Sequence, residues 1–285
     1  MKRALKWAAY LAASLVVVAL IAATAVYAMS ERTLRARYTI EAAEFSVPLP
    51  TDSASLVEGA RSANIRGCFG CHGDALQGSV FFSEPGVATL VAPNLTRLAP
   101  TRSDAQLERA LRHGIRPDGT SLFSMPSEML RSLTDDDIAR LIAFLRSLPA
   151  TDGPDGSFSI GPLGRLGIAL GQFRSSRYYI ETEAPMSPPV DSTLRLGHYV
   201  AITACTECHG HEMQGVDGSP SLPAIVPAYS LEEFTTLMRS GQAKGGRELP
   251  MMSGVARGRF AHLTVAELEG LYRYLGTLPQ APRAQ

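Results

Sequence analysis

All four cysteines of this 285-residue chain lie in two short stretches of nearly the same sequence. These are CFGCHGDALQG from Cys68 and CTECHGHEMQG from Cys205. Each stretch sets two thiols at i and i+3 and follows them at once with an imidazole. Residues three and four apart share a face of a helical turn. Cys68, Cys71 and His72 therefore present two sulfurs and a ring to one side, and Cys205, Cys208 and His209 do the same. Such a set can serve as metal ligands, as a redox dithiol, or as a covalent seat for a flat metal cofactor.

Spacing separates these chemistries. Zinc sites built from paired cysteines usually place the pairs about 12–20 residues apart, whereas these pairs are 137 positions apart. A thioredoxin-like dithiol needs a βαβ context, and neither half suggests one. A disulfide from i to i+3 leaves the histidine unexplained, twice. Cys-x-x-Cys-His is the signature of c-type haem attachment: two thioethers to the vinyl groups and an imidazole on the iron. The expectation is two covalently bound haem c groups. Cys68, Cys71, Cys205 and Cys208 carry them, and His72 and His209 are axial ligands.

A sixth ligand closes the iron for electron transfer, and a methionine sulfur raises its potential. In the first half Met125 is followed by Pro126, which stiffens its loop. Met129 competes, but it falls where a turn leads into the last helix. In the second half Met251 and Met252 are adjacent, so one of them points inward. The expectation is Met125 and Met252, with Met251 as second choice.

These residues need elements to hold them. LTDDDIARLIAFLRSLP (133–149) and LTVAELEGLYRYLGTLP (263–279) align without a gap. Both read as amphipathic helices. Thr134 with Asp137 and Thr264 with Glu267 make capping-box patterns, and Pro149 and Pro279 end the helices. A further helix starts at Ser103 and closes at Gly114; its counterpart runs from Ser230 to Gly241. Upstream of the cysteines, Leu56 and Gly59 correspond to Leu194 and Gly197. No alternating apolar run demands a strand, so the expected fold class is all-α. The expected plan is a membrane anchor or signal peptide at 1–30, a juxtamembrane linker at 31–51, a helical domain at 52–150, a connector at 151–190 and a second domain at 191–280.

The chain carries 27 basic and 27 acidic residues. That balance argues against nucleic acid, which needs a basic surface. From Trp7 to Ala28 run 22 residues without a charge. As a helix they span about 33 Å, enough for a bilayer core. Trp7, Tyr10 and Tyr27 sit near its ends, where aromatic belts lie. A cleaved signal peptide competes with an uncleaved anchor, although its apolar run is usually about 7–15 residues. Lys2, Arg3 and Lys6 before the span are matched by Arg32, Arg35 and Arg37 after it, so charge alone leaves orientation open.

Each half resembles a class I cytochrome c domain, with Cys-x-x-Cys-His near its start, a methionine loop and a last helix ending in a Leu-Pro pair. APNLTR (92–97) and RHGIRPDGTSLFSMP (112–126) are similar to stretches in cytochrome subunits of bacterial membrane-bound alcohol and gluconate dehydrogenases. Those subunits usually have three such domains, where this chain has two. Dihaem subunits of certain terminal oxidases share the plan of a membrane helix and two domains.

The resemblance implies haem attachment outside the cytoplasm. That orients a single-pass protein of the bacterial inner membrane with its haem domains in the periplasm. It implies an electron-transfer protein, not an enzyme. The chain would relay single electrons between a dehydrogenase or quinol-oxidising complex and a terminal acceptor such as an oxidase. A dihaem enzyme such as a cytochrome c peroxidase also carries two such motifs, but needs one iron open beside acid/base groups.

Overall fold

The computed structural model describes residues 1–40, 45–216 and 218–279. Positions 41–44 of the expected linker, and positions 217 and 280 of the expected second domain, lie outside the described residues.

Helix α1 (Lys2–Leu34) is continuous over 33 residues. It is long and apolar enough to cross a membrane, and the rest of the chain buries none of its apolar stretch. It runs past the expected anchor boundary at residue 30 and takes in Glu31 and Arg32.

The first half builds α2 (Ser53–Ile65), the short α3 (Cys68–His72), strands β1 (Ser79–Glu84) and β2 (Ala88–Ala92), then α4 (Leu95–Leu98), α5 (Asp104–His113), α6 (Ser127–Leu130) and α7 (Asp135–Ser147). Ser103 and Gln106 close a full capping box on α5, and Gly114 ends the helix in the left-handed conformation. The Thr134–Asp137 box is only half made. The Thr134 hydroxyl accepts from the Asp137 amide, but the Asp137 carboxylate is taken by the Tyr199 hydroxyl and Arg140.

The described fold is helix-rich, as the all-α class expects, with one small three-stranded sheet that no alternating run announces. β1 and β2 form an antiparallel hairpin, and β3 (Ser157–Ile160) from the connector pairs with β2, setting Leu90 opposite Phe158. Along β2, Ala88, Leu90 and Ala92 are buried. The alternation is real, but two of its three inward residues are alanines, which read as readily in a helix. Phe123, Phe158 and Phe173 pack together beneath the sheet, with ring centroids 5.2–6.2 Å apart.

The connector thus belongs to the first half. Its α8 (Pro162–Ala169) lies against the end of α1. There Arg165 bonds Ser30 Oγ at 3.0 Å and Glu31 Oε2 at 2.9 Å, and stacks over the Tyr27 ring. Its α9 (Ser176–Thr182) packs on α6. Ser176 Oγ donates to the Met125 carbonyl at 2.6 Å.

The second half repeats the plan with α10 (Arg195–Ala204), α11 (Thr206–His209), α12 (Leu222–Ile225), α13 (Leu231–Ser240), the small ladder of β4 (Gln242–Ala243) and β5 (Arg247–Glu248), then α14 (Met252–Gly258) and α15 (Val265–Thr277). Capping boxes at Ser230–Glu233 and Thr264–Glu267 are complete.

In each half the first and last helices cross in close contact. A Cβ on Gly59 would overlap the Arg140 carbonyl, and one on Gly197 the Gly270 carbonyl. Arg140 and Gly270 hold the same place in the repeat, so both crossings are one design built twice. Small residues let backbones meet this closely, and a methyl group there would force the helices apart. Each half has its own core. Ile65, from the first half, is fully buried in the second core, so the two halves share a seam.

Candidate haem-binding sites

The Cys-x-x-Cys-His turn is held the same way in both halves. After it, Gly73 and Gly210 adopt positive φ, followed by Leu76 (φ 56°) and Met213 (φ 61°) and then Gly78 and Gly215. The amides of Gly78 and Gly215 donate to the carbonyls of His72 and His209, at 2.7 and 2.9 Å. Leu76 and Met213 are fully buried. A left-handed non-glycine residue is uncommon and costs free energy. Here the same departure recurs at the same place, with burial to offset it.

That turn aims the imidazoles. His72 Nδ1 lies 2.8 Å from the Pro93 carbonyl, and His209 Nδ1 lies 2.9 Å from the Pro220 carbonyl. Burial holds both rings below the usual histidine range, against the opposing pull of those carbonyls. A neutral ring facing a carbonyl through Nδ1 must carry its proton there. Nε2 is then left as a lone pair, the form in which imidazole binds a metal.

The four thiols are not joined in disulfides. Burial pushes Cys68 up to about 11 and Cys205 up to about 12, so neither is a thiolate at neutral pH. That is the reverse of a redox dithiol, whose nucleophile is held low. Among the described residues, no group of three or more His, Cys, Asp or Glu is arranged to hold a metal ion.

In the first half Cys68, Cys71 and His72 share a cavity of about 400 Å³ with Met125. Its walls are apolar, with Leu90, Leu107, Leu111 and Phe123 among them. Arg66, Arg102 and Arg116 stand on its lining as cations. A flat apolar ring with two carboxylates, a metal at its centre and two vinyl groups suits this lining. Met125 is fixed from behind, because its carbonyl accepts from Ser127 N at 2.8 Å as well as from Ser176. Met129 is 1% exposed and spent in the core.

In the second half Met252 packs against the core that includes Cys205. Met251 is 69% exposed. The neighbouring Ser253 holds this arrangement. Its hydroxyl donates to the Gly241 carbonyl and accepts from Leu249 N at 2.8 Å, pinning the loop so that position 252 faces the core.

Several residues at these sites went unnoticed in the sequence. Arg102 lines the first cavity from a loop that carries no motif, and Arg116 lines it from within the 112–126 stretch, where nothing marks it as a lining residue. Arg66 and Arg259 lie between the two motifs, each with a buried nitrogen lacking a partner. The one local signal is the placement of Arg66 two residues before a Cys-x-x-Cys-His.

Comparison with known proteins agrees with this geometry. Residues 56–149 match the family described as Cytochrome c. The chain is 26% identical over 298 aligned positions to the cytochrome c subunit of alcohol dehydrogenase (quinone) from Gluconacetobacter polyoxogenes, covering 88% of this chain and 63% of that protein. It is 23% identical to the fructose dehydrogenase cytochrome subunit of Gluconobacter japonicus, over 81% of this chain and 54% of that one. A nicotinate dehydrogenase subunit of Pseudomonas putida is 27% identical, over 81% of this chain and 22% of its own length. The chain thus spans about three fifths or less of the curated relatives it matches.

Proposed function

We propose that the chain, whose residues 56–149 match the Cytochrome c family, is a dihaem electron carrier that passes single electrons between a dehydrogenase partner and a terminal acceptor. The observation that carries this reading is the repeated turn in which a proline carbonyl holds Nδ1 of a buried neutral histidine beside two cysteines. The similarity to cytochrome subunits of dehydrogenases gives the partner class. The sequence of residues 191–280 extends the reading to a second haem domain.

Bound at each turn, haem c would supply a one-electron iron couple. His72 and His209 would hold the iron through Nε2, and Met125 and Met252 would supply the other protein ligands. Cys68 and Cys71, and Cys205 and Cys208, would fix the ring by thioethers. The apolar walls around the first site exclude water. A fixed ligand set and a dry pocket keep reorganisation small when an electron arrives or leaves. Arg66, Arg102 and Arg116 offset the charge of the ring's carboxylates.

Thioether attachment belongs outside the cytoplasm in the family this chain resembles. With α1 retained as an anchor, the haem domains would stand on the periplasmic face of the inner membrane, beside a membrane-bound oxidoreductase. Arg165 ties the end of α1 to the first domain, which suits an anchor that sets the domain at a fixed height.

The test is ligand access. Full-length protein, reduced with dithionite, is exposed to carbon monoxide. Two methionine-closed sites leave the spectrum unchanged at both haems. Binding at either haem, with turnover of hydrogen peroxide, would instead favour a dihaem peroxidase.

A further inference from the structure

One guanidinium joins the two Cys-x-x-Cys-His turns. Arg259 stands just after α14. Its Nε donates to the Ile65 carbonyl at 3.1 Å, at the end of α2. Its Nη1 donates to Glu207 Oε2 at 2.9 Å, and Glu207 is the residue before Cys208 inside the second motif. The same guanidinium lies against Gly67, the residue before Cys68, where an added Cβ would come within 2.6 Å of Cζ. Gly67 has φ 78°, so glycine serves both the bend and the contact.

Glu207 in turn lines the cavity that holds Cys68, Cys71, His72 and Met125. A residue of the second motif is therefore part of the wall of the first site. Arg66 reinforces the seam: it is 7% exposed, donates to Thr203 Oγ1 at 3.2 Å and stacks over Tyr199.

We propose that the Arg259–Glu207 pair is the junction between the two redox sites, across which the electron passes and through which both sites are tuned together. The inference rests on the two-haem reading above. In the transfer one iron loses one electron and the other gains it, with no bond made and no proton moved. Cys68 and Cys208, which would tether the two rings, directly follow Gly67 and Glu207, the residues that Arg259 touches. A cation there favours the reduced state of either iron, because reduction lowers the positive charge beside it; an anion disfavours it. A charge shared by both sites moves both in the same direction, whereas a charge on one site would move one.

The test is a redox titration of full-length Arg259→Gln, Arg259→Lys and Glu207→Gln, after denatured mass spectrometry has counted the haems. Arg259→Gln should lower both reduction equilibrium constants by about three- to tenfold, the upper end being about 59 mV for a one-electron couple. Glu207→Gln should raise both. Arg259→Lys, which keeps the charge, should leave both within about twofold. Opposite signs from the two neutral variants are not expected of a merely structural pair. A shift confined to one step, or the same sign in both neutral variants, overturns the junction while leaving the carrier reading standing. A mass short of two haems overturns both. If Arg259→Gln does not fold, Glu207→Gln alone decides, since Glu207 is partly exposed.

Discussion

Arg61 on the second helix holds Glu267 on the last through two hydrogen bonds, Nη1 to Oε2 at 2.7 Å and Nη2 to Oε1 at 3.0 Å, across 206 residues of chain. The same Glu267 carboxylate completes the capping box by accepting from the Thr264 amide at 2.7 Å. One side chain therefore caps the final helix and clamps the two halves.

Breaking that clamp should be costly and pH-dependent. Burial pushes Glu267 up, but Arg61 and Thr264 outweigh it and hold the carboxyl below its ordinary value of 4.5. Its contribution is then complete above about pH 4.5 and drains away as pH falls through the lower folded value. Glu267→Gln should cost about 1–3 kcal/mol at pH 7. Comparison of thermal unfolding at pH 7 and below pH 4 should show the gap between variant and parent shrinking with acid. A gap that persists at low pH would remove the carboxylate from the explanation.

The methionines give a spectroscopic prediction. Met125→Ala and Met252→Ala should each remove about half of the weak sulfur-to-iron absorption band. Each should also lower one of two reduction potentials, because loss of an axial methionine lowers a haem's potential. Met251→Ala should do neither, since its side chain is 69% exposed. A spectrum altered by Met251→Ala but not by Met252→Ala would reverse the assignment in the second half.

How far the sequence was readable varies by element, for physical reasons. The helices from Ser103, Ser230 and Thr264 were legible because their capping pairs are local, three residues apart, and their apolar stripes follow one period. The two Cys-x-x-Cys-His turns were legible because each is a contiguous stretch with the same spacing. The hairpin at 79–92 was not, because alanines and a threonine dilute its alternation and its third strand arrives from the connector. Asp137 failed to close its box because Tyr199, 62 residues away, claims it. Arg259 was invisible for the same reason, since its bond to Ile65 spans 194 residues. Long-range partners leave no local trace.

The helix crossings predict a contrast among glycines. Gly197→Ala places a methyl group on the Gly270 carbonyl and should lower the melting temperature, at a cost of about 1–3 kcal/mol or more. Gly276→Ala on α15 meets open space and should leave it unchanged or raise it, by up to about 1 kcal/mol of helix propensity. Equal effects from the two substitutions would mean that the crossing is not tight.

The anchor is tested by fractionation. The mature protein should retain Met1, sediment with membranes and need detergent. A chain beginning at Leu34 should be released by low-detergent buffer and still carry its haems. Recovery of the full-length gene product as a soluble form starting near Met29 would show that the apolar segment is a signal peptide.

The central claim is two covalent haems on one chain, and denatured mass spectrometry of the purified protein tests it most directly. The expected mass is that of the chain plus two haems, falling to one haem when Cys205 and Cys208 are replaced together by alanine. A parent mass with one haem, or a double variant that loses none, would contradict it.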